Sequence, residues 1–222
     1  MPAILSPEDM GDKQGVTGRQ FPLCRLWCIM RHNDECFEMV GGIMKKIYIM
    51  LTQVGTIVSK SIKLYTKAKY NHASIGVDPQ MRIFYSFARR VRYFPVIGGF
   101  ITEVVNEGMF KYHPNTECAI YALSVEDSVY MKACSLLEKY KREPQKYHYN
   151  FLGLFGVMFN KPFNSEYRNT CAEFVAKLLH DAGVYTFHKP FSLVRPDELP
   201  GIPKMQLVYE GLMLELNSRQ VG

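Results

Sequence analysis

Asn169-Thr170-Cys171-Ala172-Glu173-Phe174-Val175 reads as the start of a helix with a thiol built into its first turn. Thr170 followed three residues later by Glu173 has the form of a capping box, which makes Thr170 the N-cap and Cys171 the first helical residue. Phe174, Val175, Leu178, Leu179 and Ala182 then recur at helical spacing and bury one face, and Gly183 supplies the stop. The free N–H groups and positive dipole end of a helix stabilise a thiolate, so a cysteine placed there is a candidate nucleophile. A cysteine is equally at home as a small apolar residue beside a cap. The motif needs a partner before it means chemistry.

A nucleophilic thiol needs a base, and the chain holds six histidines. His72 has the most telling surroundings. Tyr70-Asn71-His72-Ala73-Ser74-Ile75-Gly76-Val77-Asp78 alternates and turns at Asp78-Pro79, and a second strand pattern follows in Arg82-Ile83-Phe84-Tyr85-Ser86-Phe87-Ala88. His72 therefore enters the first strand of a hairpin, where a rigid backbone can aim an imidazole. His180 falls in the last turn before Gly183, where a cation complements the dipole. His32, His113, His148 and His188 have no comparable context.

Four stretches in this order resemble the circularly permuted, NlpC-like branch of the papain-like thiol hydrolases, in particular its YiiX/YebB-like members. The lecithin retinol acyltransferase-like proteins are more distant relatives of that branch. Tyr70-Asn71-His72-Ala73-Ser74-Ile75 is similar to the family's histidine strand, and Tyr147-His148-Tyr149-Asn150-Phe151 to its tyrosine-containing segment. Thr170-Cys171-Ala172-Glu173-Phe174-Val175 is similar to its nucleophile motif, and Val194-Arg195-Pro196-Asp197-Glu198-Leu199 to its late proline element. In the unpermuted papain-like enzymes cysteine precedes histidine. The reversed order here separates the two branches.

The resemblance implies an α+β, permuted papain-like fold: an antiparallel sheet packed against helices, with the nucleophile at a helix N-terminus. It implies a thiolate–imidazolium pair in which Cys171 attacks and His72 acts as general base and then general acid. Related members orient the imidazole with a carboxylate on the second hairpin strand, where this chain has Ser86. Ser86 and, from the following segment, Glu103 are the two candidates for that task, with a solvated surface charge as the plain reading of Glu103. Tyr149 corresponds to the family tyrosine that lines the site. It is expected either to contact substrate or to pack its ring with a wetted tip. The implied reaction is cleavage of an amide or acyl ester through an acyl-enzyme, on a peptide, peptidoglycan-type or lipid acyl substrate, with no metal or organic cofactor. A binding module that keeps the pocket but has lost turnover is one alternative, because the carboxylate is missing from the second strand, and a lipid-remodelling acyl hydrolase at a membrane surface is the other.

Composition bounds the rest. The chain has 222 residues, 47% of them hydrophobic, enough for one domain with a real core plus an extension. Net charge is +6, and the first 43 residues hold four Lys/Arg against six Asp/Glu, so the remainder carries +8. Lys60, Lys63, Lys67 and Lys69 precede the histidine strand, and Arg89, Arg90 and Arg92 follow the second strand. Such a grouping is either a solvated basic face or a preference for an anionic substrate or membrane surface. No nucleic-acid-binding motif accompanies the charge, so a nucleic-acid partner is not expected. Residues 1–43 show no sustained period and read as a non-native or disordered extension, with the domain proper spanning 44–222 and opening at Met44-Lys45-Lys46-Ile47. Cys24, Cys28, His32 and Cys36 fall four apart in that extension; on one helix they span about 18 Å, too far for one tetrahedral ion. No metal site is expected. The six cysteines form no disulfide framework and no secretory or membrane-spanning segment is evident, which points to a reducing cytoplasm.

The remaining pattern reads as a strand at 47–51, an amphipathic helix from Gly55 to about Lys67, and a loop at Pro95-Val96-Ile97-Gly98-Gly99 with glycine hinges. Strands follow near 101–105 and at 117–124, then a helix over about 126–142 capped by Ser124. The last expected elements are a buried helix over Phe151–Phe159 packed on the Cys171 helix, and a final strand at Leu207-Val208-Tyr209.

Overall fold

The computed structural model describes residues 44–53, 68–90 and 98–216. The extension at 1–43 with its Cys/His set, the helix expected at 55–67, Pro95 to Ile97 of the expected loop, and Lys60, Lys63, Lys67 and Arg92 lie outside the described residues.

The architecture is α+β. Eight strands form one curled sheet: β1 Lys45–Gln53, β2 His72–Gly76, β3 Ile83–Arg89, β4 Gly98–Val104, β5 Glu117–Val125, β6 His148–Tyr149, β7 Arg168–Asn169 and β8 Gln206–Leu212, in the order β7-β6-β4-β3-β2-β1-β5-β8. Among the described residues three α-helices accompany it: α1 Asp127–Arg142, α2 Phe151–Phe159 and α3 Cys171–Ala182.

β1 explains the layering. Its run Ile47 to Leu51 is apolar at every position because both faces are covered, as a central strand requires. Ile47, Ile49 and Leu51 join Ala73, Ile75, Phe87 and Phe100 under α1 and α3, where Phe174, Val175 and Leu178 fill the interface. Tyr48 and Met50 point the other way, into a second cluster with Phe84, Cys118, Ile120 and Tyr209. Phe174 has no exposed surface and meets Phe87, Phe100 and Tyr140 ring to ring, with centroids at 5.1, 5.7 and 5.0 Å. Truncating such a side chain to alanine costs about 3–5 kcal/mol.

Four expectations need correction. The sheet is mixed, since β6 and β7 run parallel, with Tyr149 opposite Asn169. They are joined through α2, and a crossover of that kind delivers the second strand in the same direction as the first. Gly98 and Gly99 are strand residues, not loop hinges. A Cβ on Gly98 would stand 2.8 Å from both the Ala88 carbonyl oxygen and Tyr149 Cβ, and one on Gly99 would collide with the Tyr147 carbonyl and the Arg90 guanidinium. These glycines allow β6 to approach β4. Ser124 does not cap α1: it pairs with Lys46 inside β5, the strand continues through Val125, and Glu126 is the N-cap, without a side-chain bond. Finally, α2 is not buried. It leaves Leu152 64% and Phe159 69% exposed and packs against the 3-10 turn Phe191–Leu193.

The hairpin turn at Asp78, the strands at 117–125 and 206–212, and the limits of α3 agree with the sequence pattern. Leu199, in the late proline element, is fully buried in the core that α3 shares. Among the described residues no helix is long and apolar enough to cross a membrane.

Candidate active site

β7 and α3 are consecutive, so the chain leaves a sheet strand and enters a helix at Cys171. Thr170 is the hinge between them, extended at φ −79° and ψ 170°. Its hydroxyl accepts the Glu173 N–H at 3.2 Å, and the Glu173 carboxylate accepts the Thr170 N–H at 3.1 Å, closing both halves of the capping box. Cys171 is thereby the first residue of α3, and Gly183 ends the helix at φ 84°. The Cys171 N–H belongs to the group that helix geometry leaves without an intrahelical acceptor.

His72 opens β2, opposite Thr52 of β1. The Glu103 carboxylate accepts the His72 Nε2–H at 2.8 Å, and the Cys171 thiol lies within hydrogen-bonding reach of the same imidazole. Glu103 is 8% exposed and His72 16% as side chains, so water screens the pair weakly. Burial pulls the imidazole pKa down. The charge of Glu103, with the bonds to Cys171 and Glu103, outweighs burial and raises it well above 6.5. That direction favours the charged imidazole beside the thiol.

Glu103 reaches the imidazole from β4, two strands from β2 across β3. The solvated reading of Glu103 does not apply, since the group is buried and hydrogen-bonded. Ser86, on the intervening β3, donates instead to the Ala73 carbonyl at 2.6 Å and ties β3 to β2. The structure thus brings Cys171, His72 and Glu103 together and leaves Ser86 as a buried strand clip.

One member of the cluster is absent from the sequence reading. Ser74 donates to the second carboxylate oxygen of Glu103 and sits 3.4 Å from His72 Nε2. Two residues along one strand share a face, so the His-x-Ser spacing of β2 was the available signal.

Tyr149 pairs with Asn169, two residues before Cys171, and its ring lies 4.7 Å from that of Phe151. It flanks the strand that delivers the cysteine. The basic groups are differently employed: Lys69 pairs with Glu210 at 2.6 Å, and the Arg90 guanidinium donates to the carbonyls of Phe100, Pro144 and Tyr147. Both are structural brackets, which weakens the case for an anion-attracting rim. Cys118 and Cys134 are buried elsewhere, and burial pushes the Cys118 thiol up to about 12. Among the described residues no group of three His, Cys, Asp or Glu side chains is placed to hold a metal ion.

Comparisons with protein-family models, with curated proteins and with solved structures give no match.

Proposed function

We propose that this protein is a thiol-dependent hydrolase or acyltransferase with a permuted papain-like arrangement, cleaving an amide or acyl ester through a Cys171 acyl-enzyme. The observation that carries this reading is the Cys171–His72–Glu103 sequence of contacts at the start of α3, with the 2.8 Å imidazole–carboxylate bond at its centre. Geometry of this kind suits nucleophilic catalysis: nucleophile and base in reach, and the base oriented by a third group.

The thiolate attacks the acyl carbon, forming an S–C bond, and the carbonyl oxygen takes up the negative charge. The Cys171 N–H, at the positive end of α3, is aimed to stabilise that oxyanion. His72 gives its proton to the departing amine or alcohol as the C–N or C–O bond breaks. It then takes a proton from water, or from an acceptor hydroxyl or amine, whose attack releases the acyl group and restores the thiolate. Glu103 holds the ring for both transfers and offsets its positive charge, and Tyr149 contacts the substrate. Glu103 supplies the carboxylate whose absence from β3 argued for an inactive binding module, so the catalytic reading stands ahead.

Incubation with a panel of activated acyl esters and amides, followed by peptide mapping, tests the proposal. Acyl mass on the Cys171 peptide, lost in Cys171→Ser and His72→Ala, is the expected result. Absence of any Cys171 adduct across the panel contradicts it.

One observation favours a lipid acyl substrate over a peptide. Leu152, Met158, Phe159 and Phe163 are exposed on α2 and the turn after it. α2 packs against the N-cap of α3, since a Cβ on Gly153 would come 3.1 Å from Thr170 Cγ2. Exposed apolar side chains on the helix that packs against the N-cap before Cys171 suit a substrate presented by a membrane.

A further inference from the structure

Glu173 is fully buried two residues after Cys171, and a carboxylate so placed opposes formation of a thiolate in the same turn. Its Oε2 completes the capping box, while Oε1 accepts no hydrogen bond and faces the Lys177 ammonium at 2.9 Å. Lys177 also donates to Asn169 Oδ1 at 2.7 Å and to the Ser165 carbonyl at 3.3 Å. One ammonium thus joins the loop before β7, the strand that enters Cys171 and the helix that leaves it.

We propose that Lys177 is a positioning residue for Cys171: it balances the buried Glu173 charge beside the thiol and fixes the backbone on both sides of it. The inference rests on Cys171 being the reactive thiol. Capping alone asks only for an acceptor at position 173, which glutamine supplies as well as glutamate. A bare carboxylate there without Lys177 would leave an uncompensated buried charge. Among the described residues, the titratable groups coupled to the thiol include His72 from β2 and, through it, Glu103 from β4. Behind Glu173 stands Tyr140 of α1, whose phenol is pushed up to about 12, first by burial and then by Tyr147, Asp181 and Glu173.

The test is the pH profile of Cys171 alkylation in wild type, Lys177→Met, Glu173→Gln, Lys177→Arg and the double variant Glu173→Gln/Lys177→Met. Charge balance predicts opposite shifts for the two single neutralisations. Lys177→Met moves the midpoint up, so the rate on its acid side falls about tenfold, and Glu173→Gln moves it down. Lys177→Arg and the double variant return it to the wild-type position. A general loosening of the helix start would instead move both single variants the same way, and that result, or coincident profiles, overturns the proposal. Should Lys177→Met fail to fold, the direction of the Glu173→Gln shift decides: downward supports the proposal, unchanged or upward overturns it. A wild-type profile without low-pH reactivity at Cys171 has a separate meaning, since it removes the thiol hydrolase reading itself.

Discussion

Glu103 and His72 meet across an intervening strand: a carboxylate on β4 accepts the imidazole N–H of the first residue of β2 at 2.8 Å, with β3 between them. Glu103 is buried and His72 half-buried, and the electrostatics of the pair fix a sign. Because the folded-state pKa of His72 lies above its ordinary value of 6.5, its contribution to stability is fully present below 6.5 and is lost as pH rises through the folded value. Replacing Glu103 by Gln removes the main attraction for that proton. The imidazole Cε1–H resonance should then titrate at lower pH in Glu103→Gln than in wild type. The stability advantage of wild type over the variant should be greatest near about pH 6 and shrink on the alkaline side. An unmoved titration contradicts the pairing.

Ser86 and Glu103 separate cleanly by substitution. Ser86→Ala deletes one buried strand-to-strand bond, costing about 1 kcal/mol in denaturant unfolding, and leaves Cys171 acylation close to wild type. Glu103→Gln should slow acylation about 10²-fold with the fold retained. A larger kinetic loss in Ser86→Ala than in Glu103→Gln would reverse the assignment.

The region around Cys171 was readable in sequence because its signals are local. Capping box, helical period and terminal glycine all lie within fifteen consecutive positions, 169 to 183, and each corresponds to an observed bond or torsion. His72 was readable for the same reason, from the strand–turn–strand pattern about it. The orienting group was not decided, since choosing between Ser86 and Glu103 requires knowing how the curled sheet brings β4 over β3 to β2. That is a long-range property without a local period. Gly98-Gly99 misled for a related reason: glycine pairs suggest hinges, and only the neighbouring strand reveals a close-approach requirement. α2 misled because an unbroken apolar run predicts burial, whereas here only one side finds a partner.

Gly99→Ala therefore tests a packing requirement. The added methyl would strike the Tyr147 carbonyl and the Arg90 guanidinium that brackets β6. Thermal or denaturant unfolding should show a loss of about 1–3 kcal/mol. A variant of normal stability whose turnover alone is altered would favour a hinge role.

The exposed apolar surface of α2 makes a separate forecast. Leu152→Ser/Phe159→Ser alters side chains that contribute little to the core, so the melting temperature should hold or rise slightly. Co-sedimentation with phosphatidylserine-containing vesicles should fall relative to wild type, at low and at high salt, if contact is mainly apolar. Equal sedimentation of both proteins removes the argument for a lipid substrate and leaves the thiol chemistry untouched.

The pH dependence of Cys171 alkylation by iodoacetamide, read by peptide mass spectrometry in wild type and in His72→Ala, is the decisive measurement. A thiol paired with a protonated imidazole at a helix N-terminus should react well below pH 7, ahead of Cys118, whose thiol burial pushes up to about 12, and should lose that reactivity in the variant. A Cys171 that reacts only at alkaline pH, with the same profile in both proteins, would contradict the thiolate–imidazolium pair and the hydrolase built on it.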